Sequence, residues 1–153
     1  MRILFVCLGN ICRSVAAQHV FERLAAEAGI AVEADSAGLI GYHAGELADE
    51  RMRHAASRRG YRLTHRSRPV EAADFERFDL IFGMDERNVE KLRRMAPTPE
   101  AATKVKRMAD CLTRHTADHI PDPYYDGPEA FDHVLDLLED ACAELVRRLQ
   151  KDS

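Results

Sequence analysis

Apolar residues open the chain in an almost unbroken run, Ile3-Leu4-Phe5-Val6. It is too short for a helix of its own and rich in strand-forming side chains, so it predicts a strand buried on both faces. The period then changes. Ala17, Val20, Phe21, Leu24 and Ala28 recur at three- and four-residue spacing, which predicts an amphipathic helix stopped by Gly29. Residues 30–34 suggest a second strand running into Asp35-Ser36-Ala37-Gly38, and Gly41 and Gly45 frame a loop around Tyr42 and His43. Residues 46–59 read as a helix ending at Gly60, and 63–69 as an irregular connection.

Further on, Leu80-Ile81-Phe82-Gly83-Met84 predicts another buried strand, with Asp85 placed to start a helix through about Met95. Pro97 and Pro99 break that helix, and 104–108 predicts a charged fourth strand. Residues 110–127 read mainly as loop. A last helix is marked by Phe131, Val134, Leu135, Leu138, Cys142, Leu145, Val146 and Leu149 on one face. The alternation predicts an α/β fold: a single-domain doubly wound sheet of about four parallel strands with helices on both faces, residues 1–153 forming one domain. In such sheets ligands sit at the carboxyl ends of the strands.

Composition narrows the class. With 153 residues, 46% hydrophobic and 31% charged, the chain suits one soluble domain with a substantial core. A net charge of −4 and no long basic tract argue against a nucleic-acid partner. No apolar run approaches a membrane span or carries a signal-peptide pattern, so no membrane partner is expected. Cys7, Cys12, Cys111 and Cys142 form no disulfide framework for a chain of this length, which suits a cytoplasmic location. His115 and His119 lack a third ligand, so no metal and no cofactor is expected. The sequence assigns no oligomeric state.

The chemistry gathers where the first strand meets the first helix, at Cys7-Leu8-Gly9-Asn10-Ile11-Cys12-Arg13-Ser14. Strand, tight loop and helix aim backbone N–H groups and a positive helix end at an anion. Cysteine at the first position and arginine at the seventh put a nucleophile under a bound oxyanion, with a fork of donors beside it. No Gly-Lys-Ser/Thr closes the loop, which excludes a Walker-type nucleotide site. An ordinary thiol is mostly protonated at neutral pH; the N–H groups, the helix end and Arg13 favour its anion. Ser14 has two compatible roles, donating to the thiolate or capping the first helix. In Ile120-Pro121-Asp122-Pro123-Tyr124-Tyr125-Asp126, the prolines restrict the backbone around Asp122, a candidate general acid, with Asp126 its rival.

The loop and the Asp-Pro-Tyr-Tyr segment together resemble the low-molecular-weight protein tyrosine phosphatases, and the similarity extends over nearly the whole chain. It implies a phosphotyrosine-containing protein substrate hydrolysed in two steps through a cysteinyl-phosphate, with Cys7, Arg13 and Asp122 catalytic and no metal needed. Leu8, Gly9, Asn10, Ile11, Cys12 and Ser14 would bind the phosphoryl group, with Tyr42, Tyr124 and Tyr125 walling the cleft. By the same resemblance Ser36 and His65 would brace Asn10, Asp85 would sit near Asp122, and Cys12 would be a redox partner of Cys7. Cys111 and Cys142 read as structural. The chain departs from the family pattern at Val15 and Gln18, where proline and glutamate are common.

Three other readings are weighed. Arsenate reductases of this type need extra shuttle cysteines in the middle of the chain, where this one has Gly83. Protein arginine phosphatases carry a small hydroxyl residue where this chain has Ile11, whose apolar surface suits a phenyl ring. A silent phosphate-binding module would be expected to lose Cys7 or Asp122, and both are present.

Overall fold

A computed structural model describes residues 1–151; Asp152 and Ser153, the last two residues of the expected 1–153 domain, lie outside it. The element order is β1 (Arg2–Cys7), α1 (Arg13–Glu27), β2 (Glu33–Gly38), α2 (Glu50–Ser57), α3 (Asp74–Arg77), β3 (Leu80–Gly83), α4 (Glu86–Met95), α5 (Pro99–Ala102), β4 (Val105–Arg107) and α6 (Pro128–Lys151). The four strands form one parallel sheet in the order β2-β1-β3-β4. No helix among the described residues is long and apolar enough to cross a membrane.

Strand alternation divides β1 between two cores. Ile3 and Phe5 point into one with Val20 and Phe21 of α1 and Phe131, Leu135 and Leu138 of α6, while Leu4 and Val6 join Phe75, Val89 and Leu92 on the other face. Phe5 anchors the first, its ring 5.6 Å from Phe21 and 5.9 Å from Phe82. Burial on both faces explains why β1 reads as continuous hydrophobicity rather than alternation.

The differences from the sequence expectation have local causes. β2 occupies 33–38, not 30–34, because β1 begins at Arg2 and its partner in register is Glu33. Gly29, at φ 70°, closes α1, and residues 30–32 only lead to the sheet. α2 begins at Glu50, not at residue 46, because the Asp49 side chain caps it by accepting from the Arg51 N–H. The 46–49 segment instead serves the signature loop, residues 7–14, with the Asp49 N–H donating to the Ile11 carbonyl at 2.7 Å. Pro99, read as a breaker, starts the short α5 behind a Thr98 cap. α3 has too few residues for a helical period to register in the sequence.

The long loop from 112 to 127 is tied down by one carboxylate. Asp140 of α6, buried, accepts from the N–H groups of Thr113, Arg114 and His115 and from the Thr113 hydroxyl at 2.7 Å. Burial opposes its charge, but these donors hold its carboxyl well below the usual range. The Ile120 N–H then donates to the Met84 carbonyl at 2.8 Å, bringing the following residues to the carboxyl end of β3.

Candidate active site

The signature loop lies where β1 ends between two neighbours, with Cys7 in register with Gly38 of β2 and Val6 with Gly83 of β3. The N–H groups of Leu39 and Ile40 donate to the carbonyls of Cys7 and Leu8. Glycine at 38 permits this approach: a Cβ there would lie 3.0 Å from both the Gly9 carbonyl carbon and the Leu8 oxygen.

Asn10 sets the curve of the loop. It is the one non-glycine residue with positive φ, at 57°, among the described residues, and it is buried. Its Nδ2 donates to Ser14 Oγ at 2.7 Å, while its Oδ1 accepts from His65 Nε2 and from the Arg68 N–H, both at 3.2 Å. Because Ser14 Oγ accepts from Asn10, its own hydrogen is free to point at Cys7 Sγ, 3.0 Å away. Behind this chain of bonds, the Arg68 guanidinium bridges Asp35 at 2.9 Å and the buried Asp74 at 3.0 Å. Burial and the Arg68 charge together lower the His65 pKa against the pull of Asp35.

Asn10→Ala removes three bonds and places alanine in a left-handed conformation. It is expected to lower stability by about 2–3 kcal/mol and turnover by roughly 10- to 100-fold. Asn10→Gly, which relieves the backbone alone, should recover part of the stability and little of the turnover. Thermal unfolding and aryl phosphate kinetics on both variants check this.

The loop forms the floor of a cleft of about 390 Å³. Cys7, Leu8, Gly9, Ile11, Cys12, Arg13, Tyr42, Asp122, Tyr124 and Tyr125 line it. Asn10 and Ser14, expected among the substrate-binding residues, are not part of that lining, and their side chains bond to each other behind the loop. Ser14 lies in the first turn of α1 and does not cap it; Cys12 holds the cap position. Ser36 does not reach Asn10 through its hydroxyl, which donates to Gln18 Oε1 at 2.6 Å. Gln18 thus offers Ser36 an uncharged acceptor in the interior.

Arg13 is buried and committed from one side. Its Nη1 donates to Asp85 Oδ2 at 2.8 Å and to the Ile120 carbonyl at 3.0 Å, while Nη2 lies 3.8 Å from Asp122 Oδ2. Burial works against its charge, but neighbouring Cys7, Asp85 and Asp122 more than offset this and raise its pKa. Asp85 caps α4 through the Asn88 N–H; that bond and Arg13 outweigh burial and lower its carboxyl pKa. Asp85 and Asp122 therefore flank one guanidinium. Asp122 Oδ1 accepts from the Tyr124 N–H at 3.1 Å, which fixes the carboxyl in its turn. Asp126, the rival carboxylate, is absent from the cleft lining.

The rim is aromatic. Tyr124 and Tyr125 meet edge to face at 5.0 Å, and Tyr42 and His43 do so at 4.8 Å. Tyr42 is 82% exposed and Tyr125 94%, so neither serves the core. Cys12 is buried, and burial together with Asp49 and neighbouring Cys7 raises its pKa strongly, which favours the thiol. Sequence reasoning missed Ile40 and His43 in the lining; the only signal was that His43 follows Tyr42 in the glycine-framed loop and Ile40 immediately precedes it. It also missed the Arg68 bridge, because pairing with Asp35, 33 residues earlier, and with Asp74, six residues later, follows no helical or strand period. Among the described residues no cluster of candidate metal ligands occurs.

The model of the low molecular weight phosphotyrosine protein phosphatase family matches residues 2–153. The chain is similar to a low molecular weight protein-tyrosine-phosphatase of Streptomyces coelicolor, at 40% identity over 98% of this chain and 94% of that protein. It is also similar to low molecular weight phosphotyrosine protein phosphatase 1 of Drosophila melanogaster, at 39% identity over 98% of each. A crystal structure of a protein tyrosine phosphatase from Entamoeba histolytica, with Hepes in its active site, superposes with a TM-score of 0.96. It is 42% identical and covers 99% of this chain and 98% of its own.

Proposed function

Since this chain belongs to the low molecular weight phosphotyrosine protein phosphatase family, we propose that Cys7, Arg13 and Asp122 are its nucleophile, phosphoryl clamp and general acid. The activity is that of a protein-tyrosine-phosphatase, a hydrolase of phosphotyrosine in proteins, with a cysteine nucleophile. One observation carries the residue assignment: Asp122, far from Cys7 in sequence, lines the same cleft and lies 3.8 Å from the arginine that closes the loop.

In the first step the Cys7 thiolate attacks phosphorus, the bond from phosphorus to the tyrosine oxygen breaks, and Asp122 gives its proton to that oxygen. In the second, water attacks the cysteinyl-phosphate, Asp122 takes up a proton from it, and the sulfur leaves as thiolate with inorganic phosphate released. The Ser14 hydroxyl steadies the sulfur anion both as nucleophile and as leaving group. Asp85 and the Ile120 carbonyl hold Nη1 of Arg13, so that Nε and Nη2 are turned to two phosphoryl oxygens. Loop amides and Arg13 supply the positive field, and the reaction needs no metal or cofactor. A reducing cytoplasm suits a nucleophile that must remain a thiol, and the four cysteines are free.

Ile11 in the cleft wall favours a phenyl ring over a guanidinium, so the substrate is phosphotyrosine rather than phosphoarginine. On matched peptides, kcat/KM for phosphotyrosine is expected to exceed that for phosphoarginine by at least about tenfold. The opposite preference would overturn this substrate assignment.

A further inference from the structure

A second groove of about 410 Å³ adjoins the cleft, with Ile11, His43 and Tyr124 lining both. Arg53 and Arg66 also line it. Arg53 donates through Nε to the Ala48 carbonyl at 2.8 Å, and Arg66 through Nη1 to the Gly45 carbonyl at 2.9 Å. Each guanidinium is therefore steadied by a neutral oxygen, and neither forms an ion pair among the described residues. The carboxylates of the groove are mostly committed. Asp49 binds Arg51 through both oxygens, and Glu46 lies 3.2 Å from His43 Nδ1. Among the described residues only Glu50 of these carboxylates has no side-chain partner, and it sits in the first turn of α2, where the helix end offsets its charge.

A phosphotyrosine in a protein enters the cleft with polypeptide on both sides of it. Chain that leaves past Ile11 and Tyr124 advances roughly 3.3 Å per residue when extended, so the next few residues fall in this groove. We propose that Arg53 and Arg66 receive an aspartate or glutamate side chain of the substrate polypeptide, within three residues of the phosphotyrosine. The inference rests on the phosphotyrosine phosphatase reading and adds a sequence preference to it. The guanidinium forks match a carboxylate, and the shared wall makes binding there continuous with seating of the ring. Arg66 is exposed and Arg53 half-buried, so the expected preference is modest.

The test uses phosphotyrosine peptides with aspartate, alanine or lysine at each of the three positions on either side. The readout is the ratio of kcat/KM for aspartate over lysine peptides, taken within each protein. The native protein is expected to favour aspartate by roughly three- to tenfold at one or more positions, and R53E/R66E to lose or invert that ratio. A ratio near one in the native protein, or an unchanged ratio in the variant, overturns the proposal. R53Q/R66Q, which adds no repulsion, should bring the ratio close to one. Turnover of para-nitrophenyl phosphate, too small to reach the groove, separates the two failures: its absence in the native protein refutes phosphatase activity itself.

Discussion

Cys7→Ser is expected to reduce hydrolysis of para-nitrophenyl phosphate by about 10⁴-fold or more, leaving the fold intact. A serine hydroxyl ionises far less readily than a thiol and is a poor leaving group from phosphorus, so both steps suffer. The substitution exchanges sulfur for a smaller oxygen at a buried position beside Ser14, and the new hydroxyl keeps a hydrogen-bond partner. The thermal midpoint should therefore move by only a few degrees. Phosphate binding should survive, because the loop amides and Arg13 are untouched. Residual turnover above about 1% of the native rate would mean that Cys7 is not the nucleophile.

Asp122→Ala separates the acid from the rest of the site. A phenolate leaving group needs a proton as the bond breaks, and a positioned acid is worth about 10²–10⁴-fold. Nitrophenolate is a far better leaving group and needs that proton less. Turnover of phenyl phosphate is expected to fall roughly 100- to 1000-fold, and that of para-nitrophenyl phosphate only about tenfold. Equal losses on both substrates would remove Asp122 from the acid role and return attention to Asp85, which shares the Arg13 guanidinium. The Tyr124 N–H that orients Asp122 would be left without its acceptor, so unfolding should be followed alongside the kinetics.

The cleft was legible in the sequence to the extent that its chemistry is local. Residues 7–13 form a contiguous loop, and the strand and helix that flank it carry unambiguous periods, so the candidate nucleophile and clamp stand in a single stretch, while the fold class follows from the alternation along the whole chain. The prolines beside Asp122 made it a candidate, and the Asp-Pro-Tyr-Tyr resemblance proposed it as the acid; the structure places it in the cleft lining. What escaped was whatever depends on contact between distant segments. Asn10 could be named, but that its side chain stays out of the cleft lining to hold Ser14, His65 and the Arg68 N–H follows only from its left-handed backbone and the approach of residues 65–68. Ser36 was assigned to Asn10, whereas its hydroxyl pairs with Gln18, one turn into α1. The segment 46–49 has helical composition and is held out of the helix by the Asp49 cap and by its bond to Ile11. Asp140 looked like one more polar residue on the last helix, yet it gathers the backbone of the loop that leads to Asp122.

The most direct test of the central claim is acid quenching of the Asp122→Ala protein during turnover of para-nitrophenyl phosphate, followed by mass spectrometry of the intact chain and its peptides. Loss of the residue that activates water should let the phosphoenzyme accumulate. One phosphoryl group on the peptide carrying Cys7, absent when Cys7→Ser is added, is the result expected. An unmodified chain that is still turning over, or a phosphoryl group on any other residue, would contradict covalent catalysis at this sulfur.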